Sequence, residues 1–493
     1  MTLYIELIYV PMAAAPMPPM TREAQPVIRH RRRPFSARLT TITATTLLVG
    51  ALAACSGPVG GASGGAAEGD PDALTMWTFK QSHVEPLRNA AETFEKKTGI
   101  SVDVQAYTPD DAFITKVQAA AQTGDLPDVL EVHTHGDDFT FGAAGLLEDL
   151  SDDVDEEWTS RFLPAVANDG TVTDAYYEQS LAEGSKTAGV EKGQRYSVPL
   201  TIGTFGIVYA NKERLEEAGI TEAPTTWEEF IAALEAVHEV RPDDGGVSIG
   251  FQSSTTGLEW LMQPMAYGQL GKEDFGALFG QDPAKNFASD NGTKVLEAYS
   301  QVQPYWMPGT QSLTIDDADI AFAQGRSSFD IGGTFTLAFL DQNGMDPENI
   351  MTFPVPAPED GAIDDLELAP FGLTGISVSA SSGNKDGALQ WVEYLSETDV
   401  AATFAQDALD VPPVDLGEDP TTTVGPVLGA MIGAFGEGKN AYNPGDTSYR
   451  PAAYDAAQVG DAVMELTPLE TKDVTMVSED VATLVDTFWS QSK

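Results

Sequence analysis

The residues best suited to chemistry stand together in one segment, Glu131-Val132-His133-Thr134-His135-Gly136-Asp137-Asp138. Two histidines one residue apart, with carboxylates beside them, form a donor set that zinc accepts, and a zinc-bound water is a hydrolytic nucleophile. The same side chains also donate and accept hydrogen bonds in loops that face a ligand. The segment therefore leaves open both a metal-dependent hydrolase and a binding site.

The metal interpretation fails at the end of the motif. Its spacing resembles the His-x-His-x-Asp-His motif of metallo-β-lactamase-like hydrolases, but Asp138 stands where the final histidine would be. Such a site also needs further histidines downstream, and the chain has 5 in total. We therefore interpret the segment as a polar loop facing a ligand and expect no catalytic residue, no metal and no other cofactor. A metal-dependent extracellular hydrolase is kept as an alternative.

The pattern of apolar residues places this loop at the edge of a parallel sheet. Residues 74–79 predict a buried strand, Ser82 would cap the helix that follows, and Gly99 would end it. Residues 100–104 and 129–132 predict a second and a third strand with another helix between them. The alternating order implies a parallel sheet, and such sheets bind ligands beyond the carboxyl ends of their strands. The loops at those ends are residues 80–83 and 133–138.

A second unit follows with its own strand and helix patterns. Residues 196–210 form a long apolar and β-branched stretch, and Thr226 with Glu229 forms a capping box at the start of a helix. Residues 376–378 predict a further strand, again followed by a helical stripe. Together with the length of 493 residues, these patterns predict an α/β protein with more than one globular unit.

The composition limits the partners of the chain. It contains 75 Asp and Glu against 27 Lys and Arg, which gives a formal net charge of −48. Binding of nucleic acid depends on clustered cationic side chains, so we expect no nucleic-acid partner. The single cysteine, Cys55, excludes an internal disulfide and a cluster of several thiolates within one chain.

The first 54 residues have the layout of a bacterial export signal. Six arginines and two acids are followed by an uncharged, small and apolar stretch from residue 39 to 54. The stretch ends in Leu52-Ala53-Ala54-Cys55, which resembles the lipobox of bacterial lipoproteins. That resemblance implies a signal peptide over residues 1–54 and a lipidated, palmitate-bearing Cys55 at the new N-terminus. Residues 55–72 then form the anchor and a flexible linker rich in Gly, Ala and Ser.

Short segments spread over residues 74 to 490 together resemble the extracellular solute-binding proteins of family 1, which serve ABC importers of sugars. They occur in the order in which the family has them. The segments are Leu74-Thr75-Met76-Trp77, Phe94-Glu95-Lys96-Lys97-Thr98-Gly99-Ile100, Gly124-Asp125-Leu126-Pro127-Asp128-Val129, Ala144-Gly145-Leu146-Leu147, Tyr196-Ser197-Val198-Pro199, Val208-Tyr209-Ala210-Asn211-Lys212, Pro224-Thr225-Thr226-Trp227-Glu228-Glu229, Ala321-Phe322-Ala323-Gln324-Gly325-Arg326 and Gly332-Gly333-Thr334-Phe335.

The resemblance implies a two-lobed α/β fold of the type II periplasmic-binding-protein kind, with the lobes joined by crossing hinge strands and a solute held between them. Lobe 1 would comprise residues 73–198 plus 372–412, and lobe 2 residues 199–371 plus 413–493. The crossings are expected near residues 196–202, 371–375 and 412–416.

The resemblance also implies ligand-binding residues from both lobes. In the first lobe they follow the first and third strands, and in the second they include aromatic rings that stack on a sugar face. Phe335 stands where many relatives have tryptophan, and a flat ring suffices for stacking. The expected residues are Lys80, Gln81, Ser82, His133, Thr134, Asp137, Trp260, Gly333, Thr334, Phe335, Phe371, Gly372 and Tyr454. Three other tryptophans lie on apolar faces and are expected in the core: Trp77, Trp227 and Trp391.

The sequence therefore predicts a monomeric, non-enzymatic binding lipoprotein outside the cytoplasm, anchored to the cell membrane. It would capture a small solute, a mono- or oligosaccharide by the resemblance, and deliver it to the permease subunits of an ABC transporter. A binding protein for a polyamine or another cationic solute is the alternative within the same class.

Overall fold

The computed structural model describes residues 72–182, 184–417 and 419–492, so Cys55 and the expected signal lie outside the described residues. The strands in chain order are β1 (Ala73–Thr78), β2 (Ser101–Ala106), β3 (Val129–His133), β4 (Val198–Gly203), β5 (Phe205–Asn211), β6 (Val247–Ser248), β7 (Phe329–Gly333), β8 (Ile350–Pro354), β9 (Glu367–Leu368), β10 (Phe371–Val378) and β11 (Ala441–Tyr442). The α-helices are α1 (Val84–Thr98), α2 (Asp110–Thr123), α3 (Asp137–Ala143), α4 (Glu156–Thr159), α5 (Asp174–Ser180), α6 (Lys212–Glu217), α7 (Trp227–Val240), α8 (Gln263–Leu278), α9 (Asp290–Ser300), α10 (Ile315–Ala323), α11 (Thr336–Gln342), α12 (Lys385–Leu395), α13 (Thr398–Ala408), α14 (Pro420–Val424), α15 (Pro426–Gly433), α16 (Ala456–Met464) and α17 (Val474–Gln491). A π-helix, Gly257–Met262, leads into α8.

The larger sheet has the strand order β2-β1-β3-β10-β4. β1 pairs in parallel with both β2 and β3, which confirms the parallel order predicted for the first three strands. β10 then runs antiparallel to β3 and to β4. A strand from far along the chain therefore lies beside β3, and Thr374 of β10 stands opposite His133.

The helix after β1 follows its sequence pattern except at its start. Its buried face consists of Val84, Pro86, Leu87, Ala91 and Phe94, and Gly99 ends it in the left-handed conformation with φ of 84°. Ser82 does not cap it, contrary to the prediction. Ser82 lies inside a short 3-10 turn, Gln81–His83, and α1 begins at Val84 without a side-chain cap. The tight turn carries the His83 ring into the interior, where it is fully buried.

The second sheet has the order β6-β7-β5-β8 and belongs to a separate lobe. The helix α7 covers it, and the predicted cap is present because the Thr226 side chain accepts from the Glu229 amide at 3.2 Å. The Glu229 carboxylate accepts from Thr225, one residue before the position that a capping box predicts. The buried face of α7 consists of Trp227, Phe230, Ala233, Leu234 and Val237.

Each lobe has its own hydrophobic interior. Trp391 packs with Phe94 and Tyr394 on one face of the first sheet. Trp77 belongs to a second cluster that includes Phe79 and Phe113. Trp227 packs against Phe230 in the other lobe. The prediction that these three tryptophans are core residues is confirmed.

Three segments carry the chain between the two sheets. Thr204 alone separates β4 of the first sheet from β5 of the second. The chain returns before β10, and it leaves again after α13, where Val411 accepts a backbone hydrogen bond from Ile202 at 2.9 Å. The first and third crossing segments are therefore hydrogen-bonded to each other.

No helix in the three described ranges combines the length and the apolar character that crossing a bilayer requires.

Candidate functional site

The carboxyl end of β1 supplies the first polar group of the site. Lys80 is mostly buried, with 17% of its side chain exposed, and its Nζ lies 2.8 Å from Oδ2 of Asp410. The next residue, Gln81, is exposed, and Ser82 is half-buried. The three residues expected after the first strand therefore stand at the edge of the sheet, with Lys80 held by a carboxylate 330 positions away in sequence.

The carboxyl end of β3 supplies a second polar group centred on His133. Its Nδ1 lies 2.8 Å from the Asp137 carboxylate, its Nε2 lies 3.4 Å from the Asp110 carboxylate, and its ring stacks on Phe79 with centroids 4.2 Å apart. Burial alone would lower the pKa of His133, but the hydrogen bond to Asp137 and the charge of Asp110 outweigh it and raise the pKa. Because 43% of the His133 side chain is exposed, the ring is accessible to a ligand.

Asp110 marks the place where the two lobes approach each other. It opens α2 in the first lobe, and more than half of its side chain is exposed. Loss of hydration raises the pKa of Asp110, His133 lowers it, and the negative charges of Asp137 and of Asp316 on α10 of the second lobe raise it further. The charge of Asp316 on the second lobe therefore reaches Asp110 on the first.

Thr134 and Gly372 meet beside this group. The Thr134 amide donates to the Leu373 carbonyl at 3.2 Å. The Gly372 amide donates to the Asp169 carboxylate at 2.6 Å. A Cβ on residue 372 would lie 2.8 Å from that carboxylate and 3.2 Å from Thr134, so only glycine allows this approach. Both predicted residues thus belong to one tightly packed corner of the first lobe.

The two histidines of the sequence motif point to different partners. Nε2 of His135 lies 3.3 Å from the Asp169 carboxylate and its ring stacks on Tyr176, whereas His133 contacts Asp110 and Asp137. Within residues 72–182, 184–417 and 419–492, no group of three or more His, Cys, Asp or Glu side chains is placed to hold a metal ion. The geometry gives the hydrolase alternative no support.

Four aromatic rings form a cluster between the sheets, which we call the aromatic wall: Phe205, Trp260, Phe335 and Phe371. Phe205 stacks on Trp260 with centroids 5.0 Å apart and an interplanar angle of 16°. Phe371 and Phe335 meet the Phe205 ring edge-on at 5.3 and 6.3 Å. Trp260 is 7% exposed and the three phenylalanines are half-buried, so the wall presents ring surface to the cleft. Three of its four members were predicted from the sequence.

Gly333 and Thr334 position the Phe335 ring. Both residues are buried, and a side chain on residue 333 would collide with that ring. The Thr334 amide donates to the carbonyl of Thr204 in the first crossing segment at 3.1 Å. The Gly333 carbonyl accepts from the Tyr209 hydroxyl at 2.5 Å. These two predicted residues therefore act as backbone supports of the wall.

Tyr454 lies in a different cluster from the wall. Its ring packs on Phe279 and Phe488, and it is one of three rings around the Arg450 guanidinium, which lies 4.8 Å from its centroid. Arg450 pairs with Glu259 at 2.9 Å. Glu259 directly precedes Trp260 in the π-helix, so Tyr454 is connected to the wall through Arg450 and Glu259.

Six further residues of the site were not predicted from the sequence: Phe205, Asp110, Asp316, Asp410, Glu259 and Arg450. One feature of the sequence could have indicated Phe205, since it lies three residues after the expected first crossing. The carboxylates lie in the first turns of helices or in loops, and no sequence pattern marks them. Contact with a solute stays a prediction for every residue of the site.

The sequence profile of the family described as bacterial extracellular solute-binding protein matches residues 80–402. The chain belongs to this family. Bacterial extracellular solute-binding proteins work outside the cytoplasm with ABC transporters, and they are binding proteins rather than enzymes. The maltodextrin-binding protein MdxE of Bacillus subtilis (strain 168) is 24% identical over 382 residues, which cover 75% of this chain and 79% of MdxE.

Solved structures of solute-binding proteins show the same two-lobed fold. One was determined in work on xylan utilization by Caldanaerobius polysaccharolyticus; its TM-score is 0.62 at 20% identity, with 83% of this chain and 99% of that chain covered. Maltose-bound MalE3 of T. maritima gives a TM-score of 0.59 at 19% identity, with 84% and 99% covered. The predicted type II periplasmic-binding fold is confirmed.

Proposed function

We propose that this solute-binding protein is the lipoprotein receptor of an ABC importer that captures a mono- or oligosaccharide between its lobes. The observation that carries the proposal is the aromatic wall of Phe205, Trp260, Phe335 and Phe371, together with the polar groups at the carboxyl ends of β1 and β3. A sugar ring has apolar C–H faces and a rim of hydroxyls, so it needs flat rings on one side and hydrogen-bonding groups around it.

The polar groups suit hydroxyl recognition because they are charged and already oriented. Carboxylates accept hydrogen bonds from sugar hydroxyls, and N–H groups of His133 and Lys80 donate to sugar oxygens. Asp137 holds His133 and Asp410 holds Lys80, so little side-chain entropy is lost when the solute binds. Groups from both lobes would contact the solute together, which favours the closed arrangement.

A cationic solute, such as a polyamine, is the second candidate. Asp110 and Asp137 on one lobe and Asp316 on the other surround the cleft, and the charge of Asp316 raises the pKa of Asp110. Lys80 is already paired with Asp410. An ammonium group between these carboxylates would relieve their repulsion.

The anchor is proposed from the sequence alone. Cleavage before Cys55 and lipidation of its sulfur would place residues 55–72 as a tether between the membrane and the lobes. Cys55→Ala is expected to abolish metabolic labelling with an alkyne palmitate analogue and to release the protein from the membrane fraction. Labelled, membrane-bound Cys55→Ala protein would contradict the anchor.

Solute binding is tested by thermal denaturation of the full chain, purified in detergent, with maltose, maltotriose, raffinose, xylotriose, spermidine and putrescine. A solute present at 100 times its Kd stabilises the native state by about 2.7 kcal/mol, which is a readily measured rise in Tm. We expect a sugar to give this rise. A rise with spermidine or putrescine alone would favour the cationic candidate, and no rise with any of them would contradict the proposal.

The role of the aromatic wall is tested with a matched pair of tryptophan variants. Trp260→Ala is expected to weaken sugar binding about tenfold or more, because a stacked ring is removed. Trp306→Ala is the control, since that ring packs on Phe251 and donates to Thr467 away from the wall. It should lower Tm and leave the Kd unchanged. Equal loss of affinity in both variants would exclude a specific role of the wall.

A further inference from the structure

A network of buried charges lies behind the first-lobe side of the cleft. His83 stands at its centre, with Nδ1 2.9 Å from a Glu131 oxygen and Nε2 3.2 Å from Oδ2 of Asp410. All three side chains are at most 1% exposed. The same Asp410 oxygen holds Lys80, and the second Glu131 oxygen accepts from the Thr78 hydroxyl at 2.6 Å.

The geometry fixes the protonation state of His83. Each ring nitrogen faces a carboxylate, and a carboxylate accepts hydrogen bonds but does not donate them. The ring therefore needs a proton on both nitrogens. With His83 charged, two cations balance two carboxylates; with His83 neutral, a lone pair faces a buried carboxylate and one negative charge is unbalanced.

The network reaches the third crossing segment through Asp410. Asp410 follows the end of α13, after Leu409 with a positive φ of 51°. Its Oδ1 accepts from the Val411 amide at 2.9 Å, and the Val411 carbonyl in turn accepts from Ile202 in the first crossing segment. Helix α11 of the second lobe also lies against the Gln81–His83 turn. His83 thus joins the sheet edge, Lys80 and two hinge segments.

We propose that His83 is a positioning residue for solute binding: its doubly protonated ring ties Asp410 to Glu131, and this tie fixes both Lys80 and the third crossing segment. Loss of one ring proton releases Asp410 and weakens binding. This inference rests on the proposed function.

The charged groups that face His83 determine the direction of its pH dependence. They are Glu131 from β3, Asp410 from the crossing segment and Lys80, which precedes the Gln81–His83 turn. The uncharged Phe404 ring of α13 meets the His83 ring edge-on. Burial, the largest effect, lowers the pKa of His83, and the charge of Lys80 lowers it further. Glu131 and Asp410 raise this pKa by more, so the net effect is a raised pKa. The hydrogen bonds from the doubly protonated His83 ring to Asp410 and Glu131 are therefore complete below the ordinary pKa of histidine. They are lost as pH rises through the raised pKa of His83.

The experiment combines three measurements on the full chain. Nuclear magnetic resonance of ¹⁵N-labelled histidine follows the ring protons, with the His83 signals identified by their loss in His83→Gln. Amide hydrogen exchange, corrected for the intrinsic pH dependence, reports opening of residues 411–416. Calorimetry gives the Kd for maltotriose, the probe used, from pH 6 to one pH unit above the His83 midpoint.

We expect His83 to be doubly protonated at pH 7. Exchange at residues 411–416 and the Kd should rise together as His83 titrates, by at least fivefold one pH unit above its midpoint. His83→Gln should bind weakly at every pH without this rise. His133→Gln should keep the rise, which separates His83 from the exposed histidine at the end of β3, and His238→Gln should behave as wild type.

A neutral His83 at pH 7 would overturn the inference, and so would exchange and Kd that stay constant through its titration. The same pH-dependent rise of exchange and Kd in His83→Gln would also overturn the inference. If maltotriose and the other sugars fail to bind at any pH, the proposed function fails, while exchange at residues 411–416 still shows whether His83 holds the crossing segment.

Discussion

Replacement of Asp410 by asparagine tests whether the buried network stabilises the fold through charge. Asp410 is buried, with 1% of its surface exposed. Burial alone would raise its pKa, but Lys80 and His83 outweigh burial and lower the pKa to about 2. Asparagine keeps the shape of the side chain and removes its charge. We therefore expect Asp410→Asn to destabilise the protein most at neutral pH.

The magnitude follows from the difference in proton affinity between the folded and unfolded states. The pKa of Asp410 is about 2 instead of 3.8, and about 1.4 kcal/mol corresponds to each tenfold change in affinity, so its ionised form contributes about 2 kcal/mol. A lowered pKa gives stability that is complete above the unfolded value and is lost as pH falls. From these values, about half of the contribution, ~1 kcal/mol, is lost by pH 3.

Urea unfolding, followed by tryptophan fluorescence at pH 6 and pH 3, measures this effect. The gap in unfolding free energy between wild type and Asp410→Asn should be about 2 kcal/mol or more at pH 6 and about 1 kcal/mol smaller at pH 3. Asp407→Asn is the matched control, because Asp407 is exposed on α13, and it should stay within about 0.5 kcal/mol of wild type. A gap that is the same at both pH values would refute the electrostatic reasoning.

Three further predictions concern the second lobe. Thr226→Ala removes the acceptor that caps α7 and should cost about 1 kcal/mol in urea unfolding, whereas Thr226→Ser should cost less. Leu234→Ala, at a fully buried position of α7, should cost about 2–5 kcal/mol in the same assay, and a smaller loss would mean that the site collapses around the cavity. Burial raises the pKa of Asp330, beside the buried Asp319, to about 6. Because a raised carboxyl pKa gives stability that is lost as pH rises, Tm should fall between pH 4.5 and 7, and Asp330→Asn should reduce that fall; an unchanged fall would contradict it.

Local patterns were sufficient for the elements that carry the site. The apolar stripe of α1 and Gly99 at its end needed only a helical period and a residue that tolerates positive φ. The placement of Lys80 and His133 at one sheet edge followed from the order of strands, because parallel strands end on the same side. These features depend on neighbours in sequence or on topology, and both are visible in the chain.

The partners of those residues could not be predicted, because they come from distant parts of the chain. Asp410 is 330 positions from Lys80, and Asp110 is an ordinary acid in a helix first turn. Neither Asp410 nor Asp110 belongs to a periodic pattern or a sequence motif that would mark it. The failed cap at Ser82 has the same origin, since the long-range pairing of His83 with Glu131 and Asp410 is satisfied in the tight Gln81–His83 turn.

Two of the four rings of the aromatic wall, Phe205 and Phe371, lie at the crossing segments. Phe205 follows Thr204, the single residue between the two sheets, and Phe371 begins the strand that returns to the first sheet. The centroids of these two rings are 5.3 Å apart, and the rings meet edge-on. A solute that stacks on this wall therefore binds to the hinge as well as to the lobes. If a solute binds there as proposed, a higher affinity for the closed arrangement of the lobes would act at the crossing segments without a separate relay.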